Sequence, residues 1–345
     1  MAKISIAGAT GYTGLELIRL LVQHPEAELI TLTADSHAGK NITEVAPSLR
    51  GWVDQPLVKL DPSIAEGCDI LFLALPHTAA MGQVPGMLRG SCRIIDLSAD
   101  YRLHSADSFS EWYKVPHTSA QLLEKAVYGL PELHREKIKT AQLVANPGCY
   151  PTSAILALAP LMQTDWVDLD SIIVDSKSGV SGAGRKLSLT TQFCEANEGV
   201  SAYSVAEHRH TPEIEQELSG LAGKNITLSF SPHLMPMTRG ILTTVYINLK
   251  KEIQRDTLQE HYAAYYNKEP FVRILPAGQF ANTHHVAGSN YCDIGVQVDP
   301  RNQRAIITSA IDNLMKGASS QAVQNMNLML GLDETTGLDA PPLFP

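Results

Sequence analysis

Lys3-Ile4-Ser5-Ile6-Ala7-Gly8-Ala9-Thr10-Gly11-Tyr12-Thr13-Gly14 is the stretch that decides the fold of this chain. A short apolar run broken by a polar residue reads as a strand, and it passes directly into three glycines spaced G-x-x-G-x-x-G. Behind them, Leu15, Leu17, Ile18, Leu21 and Val22 share one face of a helix that stops at Pro25. Strand, glycine turn and helix in that order open a Rossmann-type unit. The glycines permit a tight turn, and backbone amides at the helix start can then approach a pyrophosphate. Gly8, Thr10, Gly11, Tyr12, Thr13 and Gly14 are therefore expected to line a dinucleotide; a glycine-rich turn without a ligand is the plain alternative.

Further strand-like runs at 28–34, 69–75, 93–97 and 141–145 alternate with helical patterns, which is how a parallel sheet with covering helices reads. Beyond Pro151 the pattern changes to longer strands, at 171–175, 225–231, 240–249 and 293–299, joined by irregular segments. Residues 319–330 form an apolar-striped helix expected to return to the first domain. The reading is an α/β protein: a Rossmann-type parallel sheet over 1–148, an α+β catalytic and dimerisation domain over 149–315, and a C-terminal helix and Pro-rich tail over 316–345. A length of 345 residues suits two domains of roughly 150 each.

A formal charge of −9 repels a polyanionic backbone, so nucleic acid is not an expected partner, although single arginines can still line a cleft for a small anion. The five cysteines are widely spaced with no C-x-x-C pair. Cys68, Cys92, Cys194 and Cys292 read as small buried apolar residues. With no charged leader before the first strand, and no apolar run near the ~20 residues of a membrane span, the expectation is a soluble protein of the reducing cytoplasm.

Asp35-Ser36-His37-Ala38-Gly39-Lys40 ends the second strand, where such domains choose between their two nicotinamide cofactors. Asp35 could accept from a ribose hydroxyl and suit NAD, whereas Ser36, His37 and Lys40 could serve the extra phosphate of NADP; the reading leans to NADP.

The most informative segment for chemistry is Ala145-Asn146-Pro147-Gly148-Cys149-Tyr150-Pro151-Thr152-Ser153, followed by an apolar helix. Pro151 belongs in a first helical turn, which puts Cys149 at the helix start. There, unpaired amides and the positive dipole end favour thiolate over thiol, and a downward shift of about two units would ionise most of it at neutral pH. A thiolate needs proton management, and Glu207-His208-Arg209-His210-Thr211-Pro212-Glu213 is too polar for a core. His208, His210 and Glu213 could also hold a metal, but no thiolate or third-histidine spacing completes a zinc set, so none is expected. Two loops fit an anionic substrate. Arg102 follows the strand at 93–97, and the turn Ser178-Gly179-Val180-Ser181-Gly182-Ala183-Gly184-Arg185 could bring amides to a nicotinamide or a phosphate.

Taken together, residues 8–14, 145–152, 178–185, 208–214, Pro232-His233-Leu234-Met235-Pro236 and the ending Gly331-Leu332-Asp333-Glu334-Thr335-Thr336-Gly337-Leu338 resemble the N-acetyl-gamma-glutamyl-phosphate reductases of arginine biosynthesis, over nearly the whole chain. The related aspartate-semialdehyde dehydrogenases have N-C-[ST] at the nucleophile, where this chain has Gly148-Cys149-Tyr150-Pro151. The resemblance implies an NADP-dependent enzyme, a homo-oligomer, in which Cys149 attacks an acyl phosphate and hydride then reduces the thioester to an aldehyde. It assigns His208 as acid/base, Glu213 as its support or a substrate contact, and Arg102 to the substrate anion. His210 and Arg185 are placed on the substrate side, and Ser36, Ser178, Gly179 and Gly182 on the cofactor side. A short-chain reductase or epimerase is discounted, because its Tyr and Lys four apart on a helix are matched only by Tyr246 and Lys250 in a strand-like run. Two alternatives remain: a related acyl-phosphate reductase of the aspartate-semialdehyde or N-acetyl-aminoadipate type, and a non-catalytic nucleotide sensor with no use for a thiol.

Overall fold

Seven strands, β1 (Ala2–Ala7), β2 (Ala27–Thr33), β3 (Leu57–Val58), β4 (Ile70–Leu73), β5 (Arg93–Asp96), β6 (Ala126–Tyr128) and β7 (Leu143–Ala145), form the first sheet of the computed structural model, which describes residues 1–88 and 90–344. Their order is β3-β2-β1-β4-β5-β7-β6 and every pairing is parallel. Parallel strands are buried on both faces, and β4, Ile70-Leu71-Phe72-Leu73, is accordingly apolar throughout and inaccessible. The order reverses between β1 and β4, and ligands of such sheets bind beyond the carboxyl ends of the strands at that reversal. The glycine turn that follows β1 lies there.

The second sheet is mixed: β8 (Ile173–Gly179), β9 (Ser201–Ala202), β10 (Ser229–Met235), β11 (Ile241–Asn248), β12 (Val272–Ile274), β13 (Cys292–Asp299) and β14 (Arg304–Ile311), ordered β12-β13-β14-β11-β8-β10-β9. The helix Cys149–Leu158 packs on β11 and β14, and all its residues after Cys149 are buried. Its one serine is not wasted in that core, because Ser153 Oγ bonds Thr243 Oγ1 at 2.9 Å and Ser309 Oγ at 3.0 Å. On β11 alternate residues are buried, so one face of the sheet carries the core and the other stays open.

The chain divides into two compact units, Met1–Pro147 with Ala318–Ala340, and Gly148–Gly317 with the tail from Pro341. The helix Ser319–Leu330 returns to the first unit, where Gln321 and Asn325 both donate to the Gly129 carbonyl at 2.8 Å and Ser319 Oγ donates to the Thr13 carbonyl. The tail departs from the expected partition: Leu343 N donates to Ala287 O at 2.8 Å, which ties it to the second unit. Pro345, the end of that tail, lies outside the described residues.

Cys68 and Cys92 correct another expectation. Both are buried, yet they form a disulfide rather than packing as separate small residues; each just precedes one of two neighbouring strands, β4 and β5, and their Cα atoms are 5.5 Å apart. Cys292 is buried and Cys194 is exposed, not interior, and neither is in a disulfide.

Candidate active site

In the first unit, Gly8 has φ +82°, and a Cβ there would lie 2.2 Å from the Ala74 carbonyl oxygen. A Cβ on Gly14 would lie 2.3 Å from the Gly8 carbonyl oxygen, so these two glycines let strand, turn and helix close on one another. Gly11 differs, since its Cβ would meet nothing nearer than 3.6 Å. It caps the helix Tyr12–Leu21 without any side-chain cap, leaving the first amides to accept an anionic group. That open helix start beside a closed turn fits a dinucleotide pyrophosphate, with Thr10, Gly11 and Thr13 partly exposed around it and Tyr12 39% exposed. At the end of β2, Asp35 Oδ1 accepts from Leu60 N at 3.0 Å, which ties the carboxylate to the backbone. Ser36 and Lys40 are exposed on the same rim.

Arg102 is 5% exposed, and Nε and Nη2 donate to the carbonyls of Asn146 and Leu97 at 2.8 and 2.9 Å. It braces the ends of β5 and β7, beside the buried pair Asp96 and Asp100. Much of the guanidinium is thus engaged with the backbone.

In the second unit, Cys149 opens the helix Cys149–Leu158 behind Gly148, with no side-chain cap, and is half-buried. Its backbone is gripped from several sides. Gly148 N donates to Glu213 Oε1 at 2.7 Å, and Glu213 is 1% exposed. A Cβ on Gly148 would lie 2.6 Å from the His210 ring, and a Cβ on Gly317 would lie 2.9 Å from Cys149 Cβ. Gly148 therefore leaves room for the His210 ring and Gly317 for the Cys149 side chain, which no spacing rule in the sequence announces.

His208 stands among four rings: Tyr150 and Tyr203 at 5.5 Å, Phe230 at 5.4 Å and His210 at 4.8 Å between centroids. Burial, and then the neighbouring Arg209 cation, lower its pKa to about 4, so the imidazole is neutral at physiological pH. Tyr203 donates its hydroxyl to Tyr150 at 3.0 Å, and Tyr150 donates to the His233 carbonyl at 3.2 Å. Burial pushes Tyr203 up to about 12, with the Cys149 charge adding to the rise, and burial drives Tyr150 higher still. Both phenols stay protonated beside the thiol.

The 178–185 turn contributes unevenly. Gly179 is dictated by packing, since its Cβ would lie 2.7 Å from the Thr238 carbonyl oxygen. Ser178 and Ser181 are buried, and Asn313 fastens the turn by donating to Ser181 Oγ and accepting from Gly240 N. Gly182 and Arg185 are exposed. Tyr203, Asn313 and Gly317 escaped the sequence reading because they are scattered along the chain, and Tyr150, although next to Cys149, was given no role there; Gly317 two residues before a helix was the only legible hint. Among the described residues no group of three or more His, Cys, Asp or Glu is placed to hold a metal ion.

The model of the semialdehyde dehydrogenase NAD-binding domain matches residues 3–141, and that of the semialdehyde dehydrogenase dimerisation domain matches residues 149–313. Solved structures agree on the fold. Aspartate semialdehyde dehydrogenase II complexed with ASA from Vibrio cholerae has a TM-score of 0.72 at 17% identity, covering 96% of this chain and 98% of that one. Aspartate semialdehyde dehydrogenase with NADP from Candida albicans has 0.71 at 15%, with 96% and 98% covered. Fold and site thus define an oxidoreductase of the semialdehyde dehydrogenase class.

Among curated relatives, the N-acetyl-gamma-glutamyl-phosphate reductase of Pelotomaculum thermopropionicum is 55% identical over 99% of both chains. That of Citrifermentans bemidjiense is 55% identical over the full length of both, and that of Symbiobacterium thermophilum 53% over 99% of both. The chain belongs to the N-acetyl-gamma-glutamyl-phosphate reductase family.

Proposed function

We propose that this chain reduces N-acetyl-gamma-glutamyl phosphate to N-acetyl-glutamate 5-semialdehyde and phosphate in arginine biosynthesis, using NADPH and a Cys149 thioester. The observation that carries this reading is Cys149 at an uncapped helix start, half-exposed, with Gly317 leaving room for its side chain. The helix end favours its thiolate, and Glu213 fixes its approach by holding Gly148 N. The bound nicotinamide supplies the hydride. Gly8, Gly11 and Gly14 with the first amides of the helix Tyr12–Leu21 hold the cofactor's phosphates, and the exposed Ser36 and Lys40 at the end of β2 suit the extra phosphate of NADP.

His208 takes the position facing the reacting acyl group, and Glu213 positions the backbone before Cys149 rather than contacting substrate, because it is buried and accepts from Gly148 N. His210 packs on Gly148, and Arg185 on the exposed turn is more accessible to a substrate anion than the buried Arg102. The working form is a homo-oligomer in the cytoplasm. Exposed Cys194 and half-exposed Cys149 are in no disulfide, while the Cys68–Cys92 bridge is shielded in the core. No helix of the described residues is long and apolar enough to cross a membrane.

The decisive assay is the reverse reaction: phosphate-dependent oxidation of N-acetyl-glutamate semialdehyde, followed by nicotinamide absorbance with NADP and with NAD. Turnover is expected to require phosphate, to favour NADP and to disappear in Cys149→Ser. Retention of full activity in that variant rules out covalent catalysis.

A further inference from the structure

Three histidines of this chain share one local geometry. In each, Nδ1 accepts a hydrogen bond from the backbone N–H two residues on: Glu26 to His24 at 3.2 Å, Ser119 to His117 at 3.2 Å, and His210 to His208 at 3.1 Å. A backbone amide can only donate, so the accepting nitrogen bears no proton, and a neutral ring must then carry its hydrogen on Nε2. In two of the three, Nε2 meets a protein oxygen. His117 donates to the Asp100 carbonyl at 2.7 Å and His24 to Asn327 Oδ1 at 3.0 Å. His208 differs, for among the described residues no group accepts from its Nε2.

We propose that His208 presents an Nε2–H donor to an oxygen of the bound acyl group and holds the negative charge that develops there, and that it does not take the proton of Cys149. This deepens the reading of Cys149 as nucleophile and rests on it. An imidazolium would need a hydrogen on Nδ1 aimed at the His210 N–H, two donors face to face. The surroundings oppose it as well. Tyr150 from the helix Cys149–Leu158, Phe230 from β10, Tyr203 and His210 enclose the ring with no carboxylate among them, and Arg209 adds a positive charge. The Glu213 carboxylate is spent on Gly148 N.

In the resulting step the Cys149 proton has already gone to solvent. The thiolate adds to the acyl carbon, and the carbonyl electron pair moves onto the oxygen bonded by Nε2–H. Its return expels phosphate, which takes a proton from water, and His208 neither gains nor loses one. This is the part played by an oxyanion-hole donor.

Long-range 1H–15N spectra of histidine-labelled protein, assigned with His208→Gln, read the tautomer directly and need no turnover. At pH 7 His208 is expected to show a bare Nδ1 and a protonated Nε2. An Nδ1–H tautomer or an imidazolium overturns the proposal. In kinetics, glutamine keeps an N–H donor near the Nε2 position without titrating. His208→Gln is therefore expected within about tenfold of wild-type kcat, with an unmoved acid limb, against a loss of about 10²–10³-fold in His208→Ala. Equal loss in both variants also overturns it. Full activity of Cys149→Ser would instead sink the nucleophile reading and leave the tautomer measurement standing.

Discussion

Asp96, at the end of β5, is fully buried, and its carboxyl accepts from Ser98 N at 2.9 Å and from Ser98 Oγ at 2.7 Å. Burial, reinforced by Asp100, raises its pKa to about 7 against the pull of Ser98 and Arg102. Between pH 4 and 7 the unfolded chain therefore loses a proton here that the native one keeps, and this group's contribution to stability falls as pH rises through that window. His208 has the opposite sign: its lowered pKa makes the unfolded chain bind the extra proton, so stability falls as pH drops from 6.5 towards 4. Asp96→Asn removes only the first effect. Urea melts at pH 4.5 and 7.5 should show the variant gaining on wild type at the higher pH, by an amount on the order of a few kcal/mol, and a pH-independent difference would refute the assignment. A second residue-scale outcome concerns space. Gly317→Ala places a methyl against Cys149 and the Asn313 carbonyl, so kcat should fall about 10²-fold while near-UV circular dichroism stays native. Cys149 itself was legible because proline and glycine punctuate a helix start. Gly317 and Tyr203 were not, since their roles arise from contacts that only the fold creates.

Among elements, the longer strands of both sheets could be read from their apolar runs, whereas β3 and β6, two and three residues long, carry too little pattern to see. β14 is a strand that the sequence reading does not include, and its buried face carries Ser309. Ser309 is tolerated because Ser153 crosses to it from the helix Cys149–Leu158, with Thr243 and Ser176 continuing the chain of hydroxyls. Ser153→Ala leaves these groups short of a partner inside the core. It should cost about 1–3 kcal/mol in urea denaturation, and an unchanged midpoint would show that the network contributes nothing. The bridge between the starts of β4 and β5 is checked more simply. Of five cysteines two are joined, so protein denatured without reductant should titrate three thiols, and five after reduction.

For the whole molecule, the open face of the second sheet is the surface on which a homo-oligomer would be built. Ile306, Tyr246 and Ile173 lie opposite one another across β14, β11 and β8, and all three keep solvent access, Ile173 at 39%. The second unit's own helix Cys149–Leu158 takes the other face, so this one has β-branched and aromatic side chains without a covering layer. That face is partly apolar, and a second copy of the same sheet is expected to cover it with self-complementary symmetry. The match of residues 149–313 to a dimerisation domain agrees with that occupant. Replacing Ile306 by Asp sets a charge opposite Tyr246 in the middle of the face, where a paired copy would have to desolvate it at a cost of several kcal/mol. The expected outcome is a fall in mass by light scattering with the far-UV circular dichroism spectrum kept, since the changed side chain points away from the buried core of its own unit. A variant that keeps the wild-type mass would move the interface elsewhere on the chain, and a wild-type protein already monomeric at micromolar concentration would remove the need for one.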